Sequence, residues 1–381
     1  MSRKIIYPAA SPVTVLLDPA DDAAVTRAAL AAHNPSAGRV TVHPTPAASA
    51  RALALDILAA LGKPTELPGD WGTQGPPVFN IVGAWILALP ITRLTVLRAH
   101  LLDEKIWSAL LALRLRTGVH LVAVCHTRRP PAVVRTALRD IDHHTVSTDH
   151  HVGDLLAKAP TVPPPRRGAQ GRWITVPALA YLDSHQDFPD CHCTPPQARR
   201  PNVPERAYGI DQLAHRLATR TACPQLVGAL ATAVFTGAPL TQLYAVRAGD
   251  LDAGATTLTL HDRYRTRRPG FVTDCGIFTV PPWARPFLLA AANLVHLSPR
   301  GDDSLFSTGL PRVLMSLTDF AEHCRLRPPQ PAPAWPRPRT RRKKRAGPPT
   351  IQWYNGIDAL SCKYVSYEQW LRSAGGESPP A

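Results

Sequence analysis

Two arginine clusters carry the most direct chemistry in this chain. The stretch His261–Gly270 (HDRYRTRRPG) places Arg263, Arg265, Arg267 and Arg268 around Tyr264, between two short β-like runs. Guanidinium forks match phosphate oxygens, so a hairpin loop of this kind can meet a nucleic-acid backbone. Further along, Arg339, Arg341, Arg342, Lys343, Lys344 and Arg345 put six cations into seven residues. On an extended segment these read as an arm that tracks phosphates without regard to sequence. The plainer readings are a solvated turn for the first cluster and a solubilising segment for the second.

Other reactive residue types are weaker signals. His185, Cys191, His192 and Cys193 lie in SHQDFPDCHC. Adjacent Cys-His-Cys ligands strain a tetrahedral site and no Cys-x-x-Cys partner follows, although Cys223 or Cys324 could complete a set in space. The segment therefore reads as a loop, and no metal is assigned. Asp142-His143-His144 and Asp149-His150-His151 form an imperfect seven-residue repeat flanking a strand. Strand alternation sends neighbouring His to opposite faces, which makes them surface histidines. Cys125-His126 ends a buried strand, and a reactive thiol there would need a lowered pKa.

These clusters sit in a chain of 381 residues with a formal net charge of +15. The 36 Arg against 7 Lys, with 41 Pro, match what GC-rich codons produce, so location matters more than the total. Residues 1–160 and 161–325 are each at +4, and the last 56 residues hold +7. The longest apolar run, Val78–Leu89, is about 12 residues and falls below the roughly 20 needed to span a bilayer. Seven scattered Cys and no signal-peptide pattern point to a soluble, cytoplasmic protein.

The first 158 residues alternate strand and helix. Strands are expected at 12–17, 39–43, 94–97 and 120–125, and helices at 25–32, 47–61, 78–89, 103–116 and 131–141. That alternation implies a mostly parallel sheet. Ala159–Arg172, with three consecutive Pro, reads as a linker. Beyond it come helices at 208–220, 224–236, 240–246, 282–297 and 311–325, with strands at 257–261 and 276–280. The expected fold class is α/β with a parallel sheet over 10–158, then a separate mainly α domain with a small antiparallel sheet over 205–325. Residues 159–204 form the linker region, 326–349 a Pro/Arg-rich disordered segment and 350–381 a short aromatic end.

The order of elements carried by Arg51–Pro64, Leu94–Gly118 and Val119–Thr127 resembles a P-loop domain, in particular the AAA+ ATPases that assist transposition. The resemblance implies a phosphate cradle after the first strand and an acidic pair after the third. The turn after Leu17 instead reads Asp18-Pro-Ala-Asp-Asp, with no Gly, no Lys and three carboxylates where polyphosphate would sit. Arg98-Ala99-His100 stands where metal-holding acids are expected, while Asp103 and Glu104 suit the start of the next helix.

Ala229–Leu251, with the β patch and helix that follow, resembles the catalytic core of tyrosine recombinases, the phage-integrase family. Its first catalytic Arg position is Pro239, the neighbouring acid is Gln242, and the His-x-x-Arg box falls in the Pro/Arg segment. Tyr354, Tyr364 and Tyr367 then read as packing aromatics, because a Tyr nucleophile needs a cation clamp. Two patterns without their chemistry imply a non-catalytic, cofactor-free, DNA-binding accessory protein of a mobile element, plasmid or phage, with a partner protein from the same element in prospect. The rival readings are a divergent ATPase or recombinase and a protein-interaction scaffold.

Overall fold

The computed structural model describes residues 11–46, 49–65, 78–148, 173–182, 197–199, 207–261, 276–298, 303–306 and 317–328. The first half contains β1 (Val13–Leu17), α1 (Ala23–Ala31), β2 (Arg39–Val42), α2 (Ala50–Ala60) and α3 (Val78–Ala88). It continues with β3 (Arg93–Val96), α4 (Glu104–Thr117), β4 (His120–Cys125), α5 (Ala132–Ala137) and β5 (His143–Ser147). All five strands form one parallel sheet in the order β2-β3-β4-β1-β5.

This order fixes the layers. The connection from β1 to β2 runs outward past β4 and β3, whereas each later connection runs back the other way. Right-handed crossovers then put α1 on one face and α2–α5 on the opposite face. The packing agrees. Leu16, Leu97 and Val124 meet Val25 and Ala29 of α1, while Val13, Val15, Leu17, Leu121 and Ala123 join the larger cluster containing α2–α5. Local caps are as the sequence reads: Asp22 and Asp103 accept from the first turns of α1 and α4, and Gly118 ends α4 at φ 71°.

The second half contains β6 (Ile174–Thr175), β7 (Gln197–Arg199), α6 (Ala207–Arg220), α7 (Pro224–Thr236), α8 (Leu240–Tyr244), β8 (Thr257–Leu260), β9 (Gly276–Thr279), α9 (Arg285–Leu297), α10 (Leu317–His323) and β10 (Leu326–Arg327). The pair β8/β9 is antiparallel, and β7 adds to β9 in parallel, so this small sheet is mixed. The short β6 and β10 pair in parallel.

The two halves keep separate sheets but share one apolar core. α3 is apolar nearly all round and buried along almost its whole length, as a helix enclosed on both sides must be. It packs against α9, and an added Cβ on Gly83 would lie 3.0 Å from Leu297 Cδ1. The Asn80 amide donates to the Leu297 carbonyl at 3.0 Å, and the Trp85 indole to the Ala222 carbonyl at 2.8 Å. The 12-residue apolar run is thus the seam of the molecule. Among the described residues no helix is long and apolar enough to cross a membrane.

Candidate functional site

Parallel sheets bind ligands at the carboxyl ends of strands whose following helices leave on opposite faces. Here those strands are β1 and β4, paired through Leu17 and Cys125. The next residues are Asp18 and His126, and the Asp18 N–H donates to the Cys125 carbonyl at 2.9 Å. The Asp18 side chain is fully buried at this crevice. Its Oδ2 accepts the Asp22 N–H at 2.9 Å and lies 3.1 Å from His126 Nδ1.

Asp21 closes the group from the turn, its Oδ1 also 3.1 Å from His126 Nδ1. Arg98, directly after the β3 run, bonds the Asp21 carboxylate at 3.3 Å. Asp21 and Arg98 both hold positive φ, 48° and 51°, which non-glycine residues adopt uncommonly. The His126 N–H donates to His100 Nδ1 at 3.3 Å, and the two rings meet edge to face at 5.5 Å. Burial, with His126 and Arg98 alongside, lowers the His100 pKa.

A second polar constellation lies on the α1 face of the same sheet. Strand alternation puts Arg39, Arg93, His120, Thr14 and His144 on this face, opposite the residues that enter the large core. Arg39 pairs in register with Arg93, Arg93 with His120, and Thr14 with His144. The Thr14 hydroxyl stands 2.9 Å from both His120 Nε2 and His144 Nε2, with the donor in each bond set by the ring tautomers. Arg39, Arg93 and His120 share one register row over β2, β3 and β4, whereas Thr14 and His144 align with Val122, two residues further along. Arg39, Arg93 and His120 are half-buried and His144 is exposed. Burial, then Arg93, His144 and Arg114, lower the His120 pKa.

The residues singled out in the sequence fare unevenly. Arg263, Arg265, Arg267, Arg268 and the Arg339–Arg345 run lie outside the described residues, as do His185, Cys191, His192, Cys193 and the three C-terminal Tyr. The strands on either side of the first arginine cluster, β8 and β9, do pair antiparallel. Cys223 and Cys324 are buried, and burial pushes their thiols up to about 11 and about 12, away from the thiolate a metal needs. Cys125 is likewise pushed up to about 12.

His143 and His144 are the first residues of β5 rather than flanks of it, because the strand must reach back to pair with Val13. Pro239 caps α8, and Gln242 is buried within it. The Arg247 guanidinium lies 3.6 Å from Asp303. Sequence reasoning did not group Asp18, Asp21 and His126. The available signal was that Asp18 and His126 each directly follow an apolar β run.

No protein-family model, curated protein or solved structure matches this chain.

Proposed function

We propose that this chain is a DNA-binding accessory protein that acts without hydrolysing nucleotides. The observation that carries the reading is the in-register row Arg39–Arg93–His120 on one sheet face, with His144 linked to His120 through Thr14. Like charges on neighbouring strands destabilise a sheet, and a polyanion lying across them reverses that sign. Arginine forks on adjacent strands suit consecutive phosphates, and the His120 imidazole extends the same line. The arginines of the β8–β9 connection and of the 339–345 run add to the same electrostatic attraction, in keeping with a net charge of +15. The resemblance of the sequence to transposition ATPases and tyrosine recombinases supports placing the protein with a mobile element, plasmid or phage.

Affinity for random-sequence duplex DNA, measured by fluorescence anisotropy across a salt series, tests this. Each phosphate neutralised adds about 0.9 to the slope of log K on log salt. Replacing Arg39 and Arg93 by Ala should flatten the slope by about 2, and deleting 326–349 by several more. Binding by the parent with no salt dependence would overturn the reading in favour of a scaffold. An unchanged slope in the double variant would remove the sheet face from it.

A further inference from the structure

We infer that Asp18, Asp21 and His126 form a binding site for one divalent transition-metal ion of the zinc, cobalt or manganese class at the carboxyl ends of β1 and β4. One carboxylate oxygen of each aspartate and one ring nitrogen of His126 all lie within 4.8 Å of one another. The two Nδ1-to-oxygen separations are each 3.1 Å. Metal–ligand bonds of 2.0–2.2 Å at tetrahedral or octahedral angles place neighbouring donor atoms about 3.0–3.5 Å apart. Two of the three donor pairs already stand at that spacing.

An unpartnered donor atom supplies a second, independent observation. Asp18 is 0% exposed. Its Oδ1 is buried with no hydrogen-bond partner among the described residues. A buried carboxylate oxygen without a partner is costly, and a cation beside it removes that cost. The second oxygen shares its carbon with Oδ2, the atom in contact with His126, and so belongs to the same cluster. Ligation through Nδ1 requires the neutral ring with its proton on Nε2.

Donor chemistry selects the class of ion. One imidazole and two carboxylates suit zinc, cobalt and manganese better than magnesium or calcium, which take oxygen alone. Three protein ligands leave positions for water, as in open zinc sites. Two carboxylates balance the ion's charge. Arg98, hydrogen-bonded to Asp21, holds that carboxylate from the solvent side, as outer partners of metal ligands do. The inference is independent of DNA binding, since it uses the carboxyl ends of the strands, whereas Arg39, Arg93 and His120 stand at their amino ends.

The test is Co²⁺ titration of the untagged full-length chain, followed by absorption and by equilibrium dialysis, with Zn²⁺ as competitor. Cys191→Ser/Cys193→Ser forms the background, so that thiolates in that segment cannot contribute. One Co²⁺ per chain is expected, without a sulfur-to-cobalt charge-transfer band and displaced by Zn²⁺. Asp21→Asn and His126→Gln should each weaken binding about tenfold or more. Asp21 is half exposed, so its variant separates ligand loss from unfolding, with circular dichroism as the check. In the chain with its cysteines intact, the same variants should lower the bound metal by one ion. Absence of Co²⁺ and Zn²⁺ binding in the background chain, or binding undiminished in folded Asp21→Asn and His126→Gln, overturns the site.

Discussion

The Lys63 ammonium lies 3.5 Å from the centre of the Trp85 ring and donates to the Ala218 carbonyl at 3.1 Å. Lysine follows α2, tryptophan belongs to α3 and the carbonyl to α6, so one buried cation joins the two halves of the molecule. Trp85 reinforces the joint by its own bond to the Ala222 carbonyl and its edge-to-face contact with Phe287.

Burial pushes the Lys63 pKa from 10.5 down to about 7, against the attraction of the Trp85 face. Between those values the unfolded chain holds a proton that the folded chain lacks, so stability from this group rises with pH. Below about 7 both states are protonated and the cost of the buried charge is full. Urea unfolding at about pH 6, 8 and 10 should show the parent gaining on Lys63→Met between about pH 6 and 8, and gaining more between about pH 8 and 10. A pH-independent difference between the two would contradict it.

Trp85→Phe keeps an aromatic ring in the seam but leaves the Ala222 carbonyl without its donor. The expected loss is about 1–3 kcal/mol in denaturant unfolding. Asn80→Leu, which removes the bonds to Leu297 and Arg116, should lower stability by a similar amount.

Gly228 in α7 faces α9 so closely that a Cβ would meet Ala291 Cβ at 3.1 Å and the Phe287 carbonyl at 3.3 Å. The backbone carbonyl cannot swing aside as a side-chain tip can. Gly228→Leu should destabilise by about 1–3 kcal/mol or more despite the better helix former. Thermal unfolding of this variant beside Gly209→Leu, where a Cβ meets nothing within 4 Å, separates crowding from propensity.

Burial lowers the pKa of both His33 and His120, so each stays neutral in the fold at pH values where the unfolded chain takes up a proton. His33 Nδ1 accepts the Thr41 N–H at 3.1 Å, a bond the ring keeps only while that nitrogen is bare. Their stabilising share is complete above the ordinary imidazole pKa of about 6.5 and is lost as pH falls below it. His33→Gln with His120→Gln should flatten the fall in stability between about pH 6.5 and pH 5. Duplex DNA bound across the sheet should show the opposite trend, tightening on acidification as His120 gains charge beside Arg93.

The turn that would cradle a nucleotide carries Asp18, Asp21 and Asp22, and Pro19 lacks the N–H a phosphate would use. Mg²⁺-ATP should therefore not be retained in equilibrium dialysis with the full chain. Stoichiometric retention at micromolar concentration would refute the argument.

Most elements were legible because their signals are local. α7 falls on Pro224–Thr236 as read, with Pro in its first turn and Gly237 at φ 73° behind it. β4 is His120 followed by a bare run of five apolar residues, and it falls where the sequence places it, on His120–Cys125. β6, β7 and β10 were missed, since two or three residues show no periodicity and exist only because a distant strand pairs with them. α5 is six residues long where the sequence pattern ran to eleven, because the chain must turn into β5.

Sequence reading also divided the chain into a parallel-sheet half and a helical half, and periodicity alone carries that distinction. That α3 would be enclosed by α9 rather than by the sheet alone was hidden, because an all-apolar helix does not name its partner. The candidate site was hidden for the same reason. Asp18 and His126 are 108 residues apart, and Arg39 and His144 are separated by three intervening strands of the sheet. Side-chain type and strand alternation belong to the local sequence. Which strand ends become neighbours follows from the order β2-β3-β4-β1-β5, and that order is settled by crossover handedness and by which faces bury together.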